Sequence, residues 1–113
     1  MKTFSIRFYT PQGRKQVAFS LAYSQRQQLF DFIRSLQIGN VETIVKDAII
    51  SAYDLHGDRR ETEALAHAEL VKEKDKTEFI YQAVLSYLPT LAQELVAEAA
   101  EIKKFLHTTK NLA

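Results

Sequence analysis

The sequence contains no cysteine, which excludes a disulfide framework, a thiolate zinc site and a cysteine nucleophile. Three glycines and two prolines in 113 residues argue against a long disordered tract. No window holds the roughly eighteen apolar residues of a membrane span. The N-terminal stretch MKTFSIRFYT also lacks the apolar core of a signal peptide. We therefore expect a cytoplasmic protein with no membrane partner.

Catalytic motifs are equally scarce. The histidines are His56, His67 and His107, and their separations match no recognised metal spacing. Glu63 and His67 stand four apart on a predicted helix, but a metal ion needs further ligands. There is no glycine-rich phosphate loop and no nucleophile elbow. The sequence therefore predicts a protein that is not an enzyme and that carries no metal and no cofactor.

Charge is present in ordinary amount but is unevenly distributed. Hydrophobic residues make up 46% and charged residues 26% of the chain, as in a globular domain. Residues 1–60 hold nine Lys and Arg against five Asp and Glu, a balance of +4, whereas residues 61–113 hold six against nine, a balance of −3. A chance fluctuation can produce this difference. The functional interpretation is that the N-terminal half faces a polyanion.

The N-terminal residues predict a β-hairpin. Apolar side chains alternate with polar or small ones in residues 2–9 and again in residues 16–22, the period expected of half-buried strands. Between them, Pro11 suits the first corner of a tight turn and Gly13 can take a positive φ.

Two closely spaced helices are predicted next. Ser24 is a candidate N-cap for the first, and Gly39 is placed to end it. Asn40 is a candidate N-cap for the second, whose apolar positions recur at helical spacing. These positions are Ile44, Val45, Ala48, Ile49 and Ala52.

Beyond a charged boundary at residues 56–61, the sequence predicts further helices. Thr77 is a candidate cap for one of them, Pro89 is expected to kink or end it, and Thr90 can begin the next. The fold class expected is α+β and mostly α, with an N-terminal β-ribbon or hairpin, a helix pair and a C-terminal helical extension. Residues 1–55 form the first domain, and residues 61–113 form an extension for oligomerisation or for binding another protein.

The run NVETIVKDAIISAY, residues 40–53, follows Gly39 and ends near the aromatic Tyr53. This run resembles the second helix of the ribbon-helix-helix DNA-binding family, the class of the Arc, MetJ and CopG repressors. The order of strand, helix, short turn and helix before and through it is similar to that family's pattern. The resemblance covers residues 2–55. It implies that two chains form an antiparallel ribbon that enters the major groove. The implied protein is a dimeric or higher-order transcriptional regulator or plasmid-type accessory factor bound to double-stranded DNA.

The same resemblance indicates candidate DNA-binding residues but leaves open which strand forms the ribbon. The first strand has the more polar outward side chains, whereas the second lies nearer to the helices. A third arrangement gives each chain a hairpin whose tip contacts phosphates. The N-terminus of the second helix is the remaining candidate, as a phosphate contact or as a plain helix cap. The candidates are Thr3, Ser5 and Arg7 in the first strand, Gln16 and Ser20 in the second, Arg14 and Lys15 at the tip, and Asn40 and Val41 at the helix.

A second interpretation treats the whole chain as a non-enzymatic protein-interaction module, an adaptor or an inhibitor. Here the hairpin and helices form a protein-binding surface. Tyr81, Tyr87 and Phe105 are possible interface anchors, with core packing as the alternative role of these rings.

Overall fold

The chain begins with a β-hairpin. The computed structural model describes the backbone of residues 2–21 and 25–112 and the side chains of residues 5–18 and 27–108. Strand β1 (Lys2–Thr10) pairs antiparallel with β2 (Gly13–Leu21) in a two-stranded sheet. The turn begins after Thr10 and ends at Gly13, which takes a φ of +117°. A side chain at this φ is strained, so glycine suits the position. The two strands thus pair with each other within one chain.

Helix α1 (Gln25–Ser35) ends earlier than predicted. The expected stop at Gly39 is wrong, because Gln37 already adopts a left-handed φ of +53° and turns the chain before that glycine. Gly39 instead supplies a φ of +136° in the connection to the next helix. The predicted N-cap of α1, Ser24, lies outside the described residues.

Helix α2 (Val41–Ala52) has the predicted N-cap. The Glu42 backbone N–H donates to Asn40 Oδ1 at 2.8 Å, which satisfies one free donor of the first turn. The helix buries four of the five apolar positions predicted from its spacing, whereas the fifth, Ala52, is exposed. Its buried residues are Ile44, Val45, Ala48 and Ile49.

Three more helices follow: α3 (Arg60–Leu70), α4 (Lys76–Glu94) and α5 (Ala99–Leu112). Short 3-10 turns at Glu73–Asp75 and Val96–Glu98 connect them. Of the two outcomes predicted for Pro89, a kink or a helix end, the helix end is wrong, because α4 continues through Pro89 to Glu94. Thr90 therefore lies inside α4 and does not begin the next helix. Pro89 is exposed, whereas Leu88, Leu91 and Ala92 beside it are buried, so core packing outweighs one missing hydrogen bond.

Helix α4 is the centre of the packing. It contacts α1, α2, α5 and β2, and one hydrophobic cluster joins residues from the hairpin and from all five helices. Residues 61–113 therefore pack on the N-terminal half and share its core. The predicted fold class, α+β and mostly α with an N-terminal hairpin, is confirmed. In residues 2–21 and 25–112, no helix has both the length and the apolar character needed to cross a bilayer.

Candidate nucleic-acid interface

Strand register divides the hairpin into an inner and an outer face. Ile6 lies opposite Val17, and both side chains are buried together with Phe8. Opposed residues of an antiparallel pair share a face and successive residues alternate, so the intervening residues form the other face. We call this surface the outer face; within the described side chains it consists of Ser5, Arg7, Tyr9, Arg14, Gln16 and Ala18.

Candidate DNA-binding residues from both strands have register positions on this outer face. Arg7 is opposite Gln16, and Thr3 is opposite Ser20 in the backbone register. The side chains of Thr3 and Ser20 lie outside the described ones. The register thus places the candidates of the first strand opposite those of the second. One hairpin carries both sets on the same face, so no choice between the strands is needed.

The other candidates lie elsewhere. Lys15 is opposite Phe8, on the inner parity, and its Nζ is 3.5 Å from Glu69 Oε2 on α3. Asn40 caps α2 with its side-chain oxygen. Val41 is half-buried and packs against the core. These residues do not extend the outer face.

Arg7 is held from one side by helix α2. Its Nε donates to Glu42 Oε2 at 3.0 Å, and both side chains are partly exposed. The hydrogen bond and charge of Glu42 raise the pKa of Arg7 above its ordinary value, so the guanidinium stays charged. Glu42 also puts a carboxylate at the helix N-terminus, where it opposes the approach of a phosphate.

Glu61 contacts the outer edge of β1 at Tyr9. Its Oε1 accepts the Tyr9 backbone N–H at 2.9 Å and also the Lys46 Nζ at 3.0 Å. The Lys46 ammonium lies 5.2 Å from the centre of the Tyr9 ring. One carboxylate of α3 thus connects the hairpin backbone to α2.

The edge of β2 has no such contact in its described part. Tyr9 turns its N–H away from β2, and in an antiparallel ladder its opposite residue, Arg14, also turns outward. By alternation Gln16 and Ala18 do the same. Within the described part of the chain, no hydrogen bond to these three outward backbone groups is present. All three residues are exposed.

Arg14 and Gln16 are the accessible polar side chains at this end of the outer face. Among the described residues, Arg14 has no ion-pair partner, unlike Arg7 and Lys15. Tyr9 is 57% exposed beside them. The outer face therefore offers one free guanidinium, one held guanidinium, one amide and one exposed ring.

Sequence reasoning missed Tyr9, Glu42 and Glu61 at this surface. The position of Tyr9 was predictable, because it stands two residues after Arg7 and the side chains of a strand alternate between its faces. The carboxylates carried none, since they lie 35 and 52 residues from their hairpin partners along the chain.

Metal-ligating groups and aromatic pairs were the other features of interest outside the hairpin. No group of three or more metal-ligating side chains occurs in the residues that the structure describes. Tyr53 stacks on His67 at 3.7 Å between ring centres. Phe32 stacks on Phe105 at 4.2 Å in an open groove of about 360 Å³.

Comparison of the chain with protein-family models, with curated proteins and with solved structures gives no match.

Proposed function

We propose that the protein is a dimeric double-stranded DNA-binding protein, a transcriptional regulator or plasmid-type accessory factor, that inserts the outer face of its hairpin into the major groove. One observation supports this function: the register that aligns Arg7 with Gln16 and Tyr9 with Arg14 on the face away from the core. The major groove admits a two-stranded ribbon. Arginine can pair with guanine and glutamine with adenine through two hydrogen bonds each.

The charge distribution indicates how tightly DNA is bound. Arg14 is available for a phosphate, whereas Glu69 and Glu42 partly neutralise Lys15 and Arg7. Each phosphate contact adds to affinity and to salt dependence. A small number of such contacts gives moderate affinity that falls with salt less steeply than in a strongly basic protein.

The free edge of β2 suits a second copy of the chain. If two β2 strands pair antiparallel about Val17, Arg14 lies opposite Ser20 and Gln16 opposite Ala18, so no like charges are opposed. The two hairpins then form a four-stranded sheet with both outer faces on one side.

DNA binding is tested by titrating labelled duplexes with the full chain at several salt concentrations. Affinity should fall between about 50 mM and 200 mM salt. Arg14→Ala should weaken binding to all sequences similarly and reduce the salt slope by about 1. Lys103→Ala removes the same charge from the exposed surface of α5 and serves as the control. A chain that binds no duplex at low salt contradicts the proposal.

Dimerisation is tested by sedimentation at micromolar concentration. Ala18→Pro removes an outward N–H that the β1 ladder does not use, so it should give a folded monomer. Ala18→Thr keeps that N–H and should remain dimeric. A monomeric wild-type chain would refute pairing along β2.

A protein-interaction module, an adaptor or inhibitor, is the second candidate. It is favoured by the ion pairs that occupy Arg7 and Lys15, which reduce the positive charge available to DNA. In this function the β2 edge takes an extended strand from another protein. That residues 61–113 bind another protein also stays a prediction. Failure of DNA binding at low salt, with an intact fold, would favour this module.

A further inference from the structure

Arg7 uses only part of its hydrogen-bonding capacity within the chain. A guanidinium carries five N–H donors in a planar fork. The Nε donates to Glu42 Oε2, and the two terminal amino groups have no hydrogen-bond partner among the described side chains. The Arg7 side chain is 39% exposed. Arg7 is therefore fixed at its inner nitrogen and free at its outer edge.

The group that holds Arg7 is itself anchored. Glu42 lies in the first turn of α2, and its backbone N–H donates to the capping Asn40. The helix behind it packs into the core through Ile44 and Val45. Glu42 is thus carried by a well-packed element, and its side chain retains little exposure at 22%. A carboxylate at this position limits the rotation of the Arg7 guanidinium.

From this geometry we infer that Glu42 is a positioning residue, which presents the free edge of Arg7 to a guanine in the major groove. The inference rests on the DNA-binding function proposed above. Guanine offers two acceptors, N7 and O6, at the spacing of two guanidinium N–H groups. Adenine offers N7 but places an amino donor at the second position, so one donor of Arg7 would remain unpaired. An arginine with a fixed orientation should therefore select guanine.

An ordinary ion pair makes the opposite prediction. If Glu42 only screens Arg7, removing the carboxylate strengthens binding to every duplex, because one negative charge disappears near the phosphates. If Glu42 positions Arg7, removing it reduces the preference for guanine. The two roles therefore differ in sequence preference as well as in overall affinity.

The experiment begins with a random duplex pool from which the wild-type chain selects its preferred sequence. Each guanine of the selected duplex is then replaced by adenine in turn, with the partner base changed to match. At one of these positions the wild-type chain should lose about 5- to 150-fold in affinity, the range of one two-hydrogen-bond base contact. Arg7→Ala and Glu42→Ala should both bring that ratio close to one. Glu42→Gln keeps an oxygen acceptor for Nε and should restore part of it.

Glu69→Ala is the matched control. It also frees a hairpin cation, Lys15, by removing one carboxylate, but Lys15 lies on the inner parity. This variant should bind all duplexes somewhat more tightly and keep the guanine preference. Circular dichroism melting verifies that each variant is folded.

The outcomes separate the two proposals. A wild-type chain that binds no duplex overturns the DNA-binding function together with this inference. If Arg7→Ala loses the guanine preference while Glu42→Ala keeps it, DNA binding stands and the positioning role is overturned. A uniform gain in affinity for Glu42→Ala, with the preference unchanged, identifies Glu42 as a simple screening charge and also overturns the inference.

Discussion

The two faces of the hairpin differ in how far folding buries their side chains. The buried part of the inner face is apolar, and Ile6 and Phe8 are both fully buried. The outer face is polar, and its Arg14 and Gln16 side chains remain exposed. Burial stabilises the first face in proportion to area, whereas the second gains little from folding. Residues of the outer face are therefore free to serve a partner without a large effect on stability.

The largest expected effect is on the inner face. Phe8→Ala should reduce the free energy of unfolding by about 3–5 kcal/mol, because it leaves a cavity in the shared core. Urea denaturation measures the loss. The neighbouring Tyr9→Ala truncates an exposed ring over Lys46 and should cost about 1 kcal/mol or less. Equal losses for the two variants would contradict the division into faces.

The contact between the hairpin and the helices should have an intermediate effect. Glu61→Ala removes the acceptor shared by the Tyr9 N–H and by Lys46, whose side chain is only 15% exposed. Leaving the Lys46 ammonium unpaired should cost about 1–3 kcal/mol in the same urea assay, whereas the Tyr9 N–H is exposed and can bond to water. Glu63 is exposed on the same helix turn, and Glu63→Ala should stay within about 0.5 kcal/mol of the wild type. If both variants lose the same amount, Glu61 does not fasten β1.

The smallest effect concerns Asp47 on α2, a charge partly withdrawn from water. Burial raises the pKa of Asp47 above its ordinary value, although the charges of Lys46 and Arg60 act in the opposite direction. The folded state then binds a proton more readily than the unfolded state, so stability falls as pH rises from the ordinary Asp pKa through the raised one.

Asp47→Asn should therefore raise the urea midpoint slightly at about pH 7, where the wild-type carboxylate is ionised. The gain should disappear at about pH 3, where that carboxylate is protonated. A gain of the same size at both pH values would show that ionisation is not its cause.

Local patterns predicted much of this fold. The period of two predicted both strands, and Asn40 predicted the start of α2, because each signal depends on neighbours in the chain. The end of α1 and the continuation of α4 past Pro89 could not be predicted from neighbouring residues alone. Gln37 takes a left-handed conformation that glutamine does not predict. The buried residues around Pro89 keep α4 continuous.

The candidate surface was predictable only in part. Alternation placed Ser5, Arg7 and Gln16 away from the core, but it did not specify which strands pair. The carboxylates that hold the hairpin come from α2 and α3, and only folding brings them to it.

The shared oxygen of Glu61 also obstructs strand addition at one end of β1. A hairpin with two open edges can add further copies at both sides, and repeated addition produces an open-ended fibre. In this chain Glu61 occupies an outward N–H of β1, and the edge of β2 is left open. If two chains pair along β2 as proposed, the outer edge of β1 is the remaining strand edge, and Glu61 occupies its Tyr9 N–H. The carboxylate that fastens the hairpin therefore also makes the Tyr9 end of β1 a poorer template for a further strand.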